Sequence, residues 1–322
     1  MTTARDIAGT QAPIGSGFGA SSTAADVLAG IDLTGKLAVV TGGYSGLGLE
    51  ISRAMTAAGA QVVVPARRPD AAASELAGVR GVEVDALDLG DLDSVHAFAD
   101  RFLAGGRRID MLIGNAGIMA CPETRVGPGW EAQFATNHLG HYALANRLWP
   151  ALADGARVVS VSSRGHHRSS IRWDDVHFTR GYDKWEAYGQ AKTANVLFAV
   201  HLDALGRDRG VRAFGLHPGG IMTPLQRHLA RAEMVEAGWI DENGTPINPS
   251  FKTPEQGAAT AVWAATSPQL DGRGGLYLED CEVALPAEQA GASGVRPYAV
   301  DPSEAARLWT LSAELTGVDA LS

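Results

Sequence analysis

An apolar strand that leads directly into a glycine-rich turn constrains this chain more than any other feature of its sequence. The run Leu37–Thr41 is apolar and β-branched, and the turn reads Thr41-Gly42-Gly43-Tyr44-Ser45-Gly46-Leu47-Gly48. An amphipathic stretch, Leu49–Ala58, follows, and Gly59 is placed to end it as a C-cap. A strand, a glycine turn and a helix in immediate succession are typical of the first unit of a nucleotide-binding α/β fold.

Three glycines of this turn have predicted tasks at a pyrophosphate. Gly42 permits a tight exit from the strand, Gly46 lets a phosphate approach the backbone, and Gly48 lets helix and strand pack closely. The N-terminus of the helix would face the negative charge. Glycine patterns also occur in ordinary turns, so it is the flanking strand and helix that favour a dinucleotide site.

Short apolar runs alternate with helical stretches along most of the chain, which predicts a Rossmann-type fold. Such a fold is a doubly wound parallel sheet, here of about seven strands, with helices on both faces. We interpret residues 36–322 as a single domain, because no linker divides them, and residues 1–35 as an N-terminal arm. The predicted strands are Leu37–Thr41, Gln61–Val64, Val82–Ala86, Met111–Gly114, Arg157–Ser162, Arg212–Leu216 and Gly275–Leu278, and the later helices include Leu92–Leu103 and Glu186–Gly206.

Composition and charge exclude several classes of protein. The chain has 27 lysines and arginines against 36 acidic residues, a net charge of −9. There is therefore no basic excess of the kind that binds the phosphate backbone of nucleic acids. No apolar run approaches the ~18 residues of a membrane-spanning helix. Cys121 and Cys281 are too few for a disulfide framework, so we expect a soluble protein of the cytoplasm.

The turn spacing TGxxxGxG and a series of later motifs resemble the short-chain dehydrogenase/reductase family, of the classical type. The resemblance covers roughly residues 30–320, and the motifs follow the family's order. One departure is Gly114, where members usually carry a second Asn. The later motifs are Asp88-Leu89, Asn115-Ala116-Gly117, Asn137 within Thr136-Asn137-His138-Leu139-Gly140-His141, Ser162-Ser163, Tyr188-Gly189-Gln190-Ala191-Lys192 and Pro218-Gly219.

Within the family, the chain is most similar to the retinol-dehydrogenase-like branch. That likeness lies in residues 22–36, in Arg164-Gly165-His166-His167 and in residues 252–259. The arm is therefore expected to be part of the fold. The resemblance implies that the cofactor is held by Gly42, Tyr44, Ser45, Gly46, Leu47, Gly48, Arg67, Asp88, Leu89, Asn115, Ala116, Gly117, Tyr188, Lys192, Pro218, Gly219, Ile221 and Thr223.

Tyr188 and Lys192 form the candidate acid–base pair. They are four residues apart on a predicted helix, so their side chains share one face. A free tyrosine has a pKa of about 10, and a nearby ammonium together with an oxidised nicotinamide favours its phenolate. Tyr188 would act as the base in alcohol oxidation and as the acid in carbonyl reduction.

Ser163 and Asn137 complete the catalytic set that the resemblance implies. Ser163 would hydrogen-bond the substrate oxygen, Lys192 would also bind the nicotinamide ribose, and the residue at the position of Asn137 in relatives holds a water that links the lysine to solvent. Taken singly, each residue has an ordinary structural explanation, and it is their order that favours catalysis. No metal is expected, because His138, His141, His166, His167 and His217 lack metal-site spacing.

The end of the second strand predicts the nicotinamide cofactor. An acidic residue there would bond the ribose 2′-hydroxyl of NAD and repel a 2′-phosphate. Ala66 stands at that position and Arg67 follows it, which favours NADP(H) because a guanidinium pairs with phosphate. NAD(H) stays possible if Arg67 only stacks on adenine and Arg68 faces solvent.

Residues 221–251 correspond to the substrate lid of relatives. The pocket is predicted to include Met119, Ser163, Gly165, Met222 and Leu225, and the apolar residues of the lid favour an apolar alcohol or carbonyl substrate. The segment between Ser163 and Tyr188 could form a pocket wall or only cover the surface.

These features predict an NADP(H)-dependent alcohol dehydrogenase or carbonyl reductase that transfers hydride directly. An NAD-dependent enzyme of the same family and a catalytically idle NADP(H)-binding redox sensor are the alternatives. An epimerase or dehydratase of the extended type is disfavoured by the turn spacing and by the lack of a distinct C-terminal domain. Because family members commonly associate through the helices that hold Asn137 and Tyr188, a homodimer or homotetramer is expected.

Overall fold

A central sheet of eight strands organises the computed structural model, which describes residues 11–289 and 293–321. The sheet consists of β1 Leu37–Val40, β2 Gln61–Ala66, β3 Val82–Ala86, β4 Ile109–Gly114, β7 Leu152–Val161, β8 Arg212–His217, β9 Leu276–Glu279 and β10 Glu282–Val283. Its order is β10-β9-β8-β7-β4-β1-β2-β3. Neighbouring strands are parallel except β9 and β10. A separate hairpin pairs β5 Arg125–Val126 with β6 Trp130–Glu131.

Successive residues of the central strands pack into two different cores, one on each face of the sheet. Ala38 and Val40 of β1 belong to one core and Val39 to the other, as the alternation of side chains along a strand requires. Both faces are covered by helices. The helices are α1 Ala24–Val27, α2 Gly46–Ala57, α3 Pro69–Glu75, α4 Leu92–Ala104, α5 Ala132–Phe134, α6 Gly140–Leu148, α7 Lys184–Gly206, α8 Arg231–Glu236, α9 Pro254–Thr266 and α10 Pro302–Thr316.

The Rossmann-type fold expected from the sequence is confirmed, with differences in detail. The sheet has eight strands where about seven were predicted. The additional strand β10 is only two residues long and begins with a glutamate, so it has no apolar run to mark it. β2 continues to Ala66 because it pairs with β3 as far as Ala86. Helix α7 begins two residues before its predicted start, at Lys184, since Asp183 caps it by accepting from the backbone N–H groups of Trp185 and Glu186.

The described part of the N-terminal arm, residues 11–35, is fixed to the edge of the sheet, while residues 1–10 lie outside the described residues. The Gln11 side chain is bonded to the backbone of Tyr277 at both its N–H and its carbonyl. The Glu282 carboxylate accepts three backbone N–H groups, from Ile14, Gly15 and Ser16. These bonds make the arm part of the folded unit.

The C-terminal helix α10 covers α6 and α7, and α7 is the helix that carries Tyr188 and Lys192. Trp309 contacts Tyr142 of α6 edge-on, with ring centroids 4.8 Å apart, and stacks on Phe198 of α7 at 6.0 Å. Eight of the nine residues of α6 are buried. The chain's own C-terminal helix therefore covers α6 and α7 at Tyr142 and Phe198.

No helix among the described residues is both long and apolar enough to cross a membrane.

Replacing Trp309 with Ala should lower the free energy of unfolding by about 3–5 kcal/mol, because it leaves a cavity between α10, α6 and α7. Urea denaturation followed by circular dichroism measures this loss. Thr310→Ala changes the exposed neighbour of Trp309 on the same helix and should leave the midpoint nearly unchanged. Equal stability of the two variants would contradict the packing role assigned to α10.

Candidate active site

One cavity of about 1620 Å³ lies at the carboxyl ends of the parallel strands. It opens where the chain order of the sheet reverses, between β1 and β4, which is the usual ligand site of doubly wound sheets. All the predicted cofactor-binding residues line it. They are Gly42, Tyr44, Ser45, Gly46, Leu47, Gly48, Arg67, Asp88, Leu89, Asn115, Ala116, Gly117, Tyr188, Lys192, Pro218, Gly219, Ile221 and Thr223.

The glycine turn leaves its backbone open at the start of α2. Gly42 and Gly46 have φ of +65° and +51°, values that side chains rarely allow. A Cβ at Gly48 would collide with the carbonyl oxygen of Gly42, so only glycine permits this approach. Ser45, the N-cap residue, makes no side-chain hydrogen bond to the helix. The first N–H groups of α2 are thus free of a side-chain cap, which fits a bound pyrophosphate.

Thr41 joins the glycine turn to the loop after β4. Its hydroxyl accepts from the backbone N–H groups of Asn115 and Ala116 at 2.9 and 3.0 Å, and its carbonyl accepts from the Asn115 amide at 3.0 Å. These bonds hold the floor of the cavity in one position. The turn and this loop together fit a dinucleotide such as NAD(P)(H).

Tyr188 and Lys192 project from α7 at the inner end of the cavity. The Lys192 ammonium lies 5.6 Å from the centre of the Tyr188 ring and donates to the Val161 carbonyl at 2.9 Å. Burial raises the pKa of Tyr188 to about 12, while a hydrogen bond with the Ser163 side chain lowers it. Burial lowers the pKa of Lys192 to about 8. At neutral pH the tyrosine therefore holds its proton and the lysine its charge.

Ser163 faces this pair, and Ser162 does not compete with it. The Ser162 hydroxyl donates to the Lys192 carbonyl at 2.7 Å, whereas the Ser163 hydroxyl accepts from the Gly165 N–H at 3.0 Å. A Cβ on Gly165 would lie 2.7 Å from the Tyr188 ring. Glycine at 165 is thus what lets the ring sit against this loop.

Asn137 lies beneath the cavity and is not among the residues that line it. Its side chain pairs with the backbone of Ile118, accepting from the N–H and donating to the carbonyl, each at 2.9 Å. A Cβ on Gly117 would be 3.1 Å from the Asn137 side-chain oxygen and 3.8 Å from the Lys192 ammonium. Asn137 and Lys192 therefore both lie beneath Gly117, in the loop after β4.

The predicted substrate pocket is placed at the same end, with one exception. Met119, Ser163, Gly165 and Leu225 line the cavity, and Met222 does not. Ile221 and Thr223, on either side of Met222, do line it, as expected where an extended chain directs alternate side chains to opposite sides.

An apolar cluster surrounds the Tyr188 ring. Met119, Ala120, Tyr188 and Leu229 are buried together, and Trp185, Leu225, Met234 and Trp239 pack against them. Trp185 belongs to the segment between Ser163 and Tyr188, and that segment also contributes Asp183 and Glu186 to the cavity lining. It therefore forms a wall of the cavity.

The candidate histidines bond to protein groups. His138 bonds to the Ser312 hydroxyl, His141 to Thr41 and Asn137, His166 to the Ser163 carbonyl, His167 to the Gly294 carbonyl, and His217 to the Arg164 N–H. Across the described residues, no group of three or more His, Cys, Asp or Glu side chains is arranged to hold a metal ion.

Comparison with known proteins gives the family. The profile of the short chain dehydrogenase family matches residues 36–234. The chain is a member of that family. It is 46% identical over 88% of its length to a "Probable oxidoreductase" of Streptomyces lividans, covering 98% of that protein. It is 35% identical to "Retinol dehydrogenase 12" of Bos taurus, over 89% of this chain and 88% of the relative.

A solved structure supports the same assignment. An uncharacterized protein from Mycobacterium paratuberculosis superposes with a TM-score of 0.71 and is 34% identical. The match covers 93% of this chain and 98% of that one. The chain is thus an oxidoreductase of the short-chain family with relatives in the retinol-dehydrogenase-like branch, and members of the family bind NAD(P)(H).

Several lining residues of this family member were not predicted from the sequence. Ala20 and Ser21 bring the N-terminal arm to the cavity. Lys252 forms an ion pair with Asp280 at 2.5 Å, and a Cβ on Gly219 would lie 2.7 Å from its stem. Arg227 brings a cation from the lid. Lys252 could have been found from the sequence, because it lies in the stretch 252–259 that resembles the retinol-dehydrogenase-like branch. Ala20 and Ser21 of the arm have no side chain that would have pointed to the cavity.

Gly48→Ala should weaken binding of the dinucleotide by more than tenfold, or about 1.4 kcal/mol, because the added methyl displaces the turn from the helix. Quenching of protein fluorescence by NADPH and NADH measures the affinity. Gly19→Ala is the matched control, since a Cβ there meets nothing within 4 Å. Unchanged affinity of Gly48→Ala would exclude the glycine turn as the pyrophosphate site.

Proposed function

We propose that this short-chain family member is an NADP(H)-dependent oxidoreductase that interconverts an apolar alcohol with its ketone or aldehyde. The observation that carries the proposal is the placement of Tyr188 beside Ser163 and Lys192, at the end of a cavity that begins at the glycine turn. The apolar cluster around the Tyr188 ring supports an apolar substrate at the reacting carbon.

The three side chains have distinct tasks in the proposed reaction. A nicotinamide held in the cavity beside Tyr188 and Lys192 would accept hydride from the alcohol carbon in oxidation or supply it to the carbonyl carbon in reduction. Ser163 holds the substrate oxygen by a hydrogen bond. Tyr188, whose pKa burial raises to about 12, is protonated at neutral pH and donates its proton to the carbonyl oxygen in reduction. In oxidation its phenolate receives the hydroxyl proton, and the Lys192 charge stabilises that phenolate.

Two arginines that line the cavity support NADP(H) over NAD(H). Arg67 lines the cavity at the end of β2, next to the buried Ala66. Arg227 of the lid lines the same cavity, and its pKa is lowered first by burial and then by the charge of Arg67. An anion that contacts both guanidinium groups, such as a 2′-phosphate, would offset this repulsion.

We further propose a cytoplasmic location and a homodimer or homotetramer. Both cysteines are free and buried, in accord with a reducing compartment. The proposed oligomer is supported only by the tendency of family members to form dimers and tetramers. Because Trp309 of α10 covers α6 and α7 at Tyr142 and Phe198, we propose that the association uses the parts of these helices that Trp309 leaves uncovered.

Tyr188→Phe should lower kcat/KM by about 10²- to 10⁴-fold, because the phenyl ring keeps the packing and removes the proton donor. The measurement is a panel of apolar alcohols and carbonyls with both cofactors. Tyr142→Phe is the matched control, since the Tyr142 hydroxyl donates to the Val318 carbonyl outside the cavity. A Tyr188→Phe variant as active as the wild type would overturn the mechanism. A wild type that binds NADPH tightly and turns over nothing in the panel would favour the redox sensor.

Arg67→Asp should reverse the preference from NADP(H) to NAD(H), because a carboxylate repels a 2′-phosphate and bonds a 2′-hydroxyl. The ratio of kcat/KM for the two cofactors measures the preference. Arg80→Asp makes the same charge change at an exposed residue that does not line the cavity and should leave the ratio unaltered. A wild type that prefers NAD(H) would refute the NADP(H) assignment.

A further inference from the structure

His141 links three parts of the active site through two hydrogen bonds. Its Nδ1 lies 2.9 Å from the Asn137 carbonyl oxygen, and its Nε2 lies 2.8 Å from the Thr41 hydroxyl. Thr41 in turn holds the backbone N–H groups of Asn115 and Ala116. One imidazole thus connects the helix segment of Asn137, the glycine turn and the loop after β4.

The hydrogen-bond partners fix the direction of each bond. A carbonyl oxygen can only accept, so Nδ1 carries the proton and Nε2 is left as an acceptor. The Thr41 hydroxyl proton has two acceptors within reach, His141 Nε2 at 2.8 Å and the Ile113 carbonyl at 3.4 Å, and the shorter bond is the stronger. Burial lowers the pKa of His141 to about 4, with the Lys192 charge acting in the same direction, so the neutral ring persists at neutral pH.

Gly114 provides the space for this ring. A Cβ on Gly114 would lie 3.1 Å from Cδ2 and 3.5 Å from Nε2 of His141. A side chain at position 114 and the imidazole at 141 therefore compete for the same volume. Position 114 is also where the chain departs from the second Asn of the family motif.

We propose that His141 is a positioning residue of the catalytic site. Its ring fills the volume left by Gly114 and holds Thr41 and Asn137 in a fixed relative position. It acts through these neighbours, since it does not line the cavity. Loss of the ring would leave the Thr41 hydroxyl and the Asn137 carbonyl without their shared partner and loosen the floor under the cofactor. The inference rests on the proposed function, because the groups it positions are those of the proposed cofactor and proton-transfer sites.

The test compares four variants with the wild type: His141→Ala, His141→Gln, Gly114→Asn and the double variant Gly114→Asn/His141→Ala. Each is measured for its Kd for NADPH, for kcat and KM, and for its unfolding midpoint. His141→Ala should raise Kd about tenfold, the effect of losing one good hydrogen bond, and lower kcat/KM further. Gly114→Asn alone should have a raised Kd for NADPH and a lowered kcat/KM, because the asparagine side chain collides with the imidazole. The double variant should recover at least about threefold in Kd over His141→Ala, because the asparagine enters the vacated volume.

Ser312→Ala is the matched control. It removes one hydrogen bond to the buried imidazole of His138, which is close to His141 in the sequence. Ser312 itself lies in α10 and does not line the cavity. Its unfolding midpoint should fall, while its Kd and kcat/KM stay at wild-type values. If His141→Ala fails to fold, His141→Gln and the double variant decide the question.

Three results would overturn the proposal. They are wild-type Kd and kcat/KM in the His141 variants, the same loss of NADPH affinity in Ser312→Ala, or a double variant that binds NADPH no more tightly than His141→Ala. Failure of the proposed function looks different. A wild type that binds NADPH and reduces no carbonyl leaves the Kd comparison intact, so the role of His141 is still judged by affinity.

Discussion

The reversal of strand order between β1 and β4 is the constraint on which the rest of the molecule depends. From β1 the chain continues to β2 and β3 on one side, and from β4 to β7, β8 and β9 on the other. The loops at the carboxyl ends of β1 and β4 must therefore diverge, and the cavity forms in the gap. Five of the site residues follow parallel strands at that edge, whereas Tyr188 and Lys192 lie on α7. Thr41 follows β1, Arg67 follows β2, Asn115 follows β4, Ser163 follows β7 and Pro218 follows β8.

The fold was predictable because long apolar strands are recognisable by their composition. The elements that were not predicted are those in which this signal is weak. β1, β2, β4 and β8 have nearly continuous buried residues, as strands covered on both faces do. β10 is two residues long and is defined by its antiparallel pairing with β9, not by its own composition. The docking of the arm depends on Gln11, which bonds to Tyr277, and on Glu282, which bonds to Ile14, and the two partners of each bond are far apart in sequence. No local pattern could have paired them.

The candidate site was predictable to the extent that its residues belong to local motifs. Tyr188 and Lys192 share a helix face, and the glycine turn is recognised by its spacing together with the strand before it and the helix after it. Met222 was misplaced because periodicity does not tell which way an irregular lid segment turns its side chains. The covering of α6 and α7 by α10 was also missed, since it depends on packing between Trp309 and Phe198 across the whole domain. The contact between His141 and Gly114 joins residues that are far apart in the sequence, so no local motif predicts the proposed role of His141.

Because of the π-helical segment Ala135–Leu139, the geometry of the site depends on the number of residues in this one turn. There the Gly140 N–H bonds to the Ala135 carbonyl, five residues back, so this turn holds one residue more than an α-helical turn. Each residue of an α-helix rotates the next side chain by about 100°. Deleting one neighbouring residue to restore a regular helix would turn Asn137 away from Ile118, or His141 away from Thr41, although both of these side chains remained. Along this segment, homologues can therefore be expected to vary in residue type more readily than in residue number.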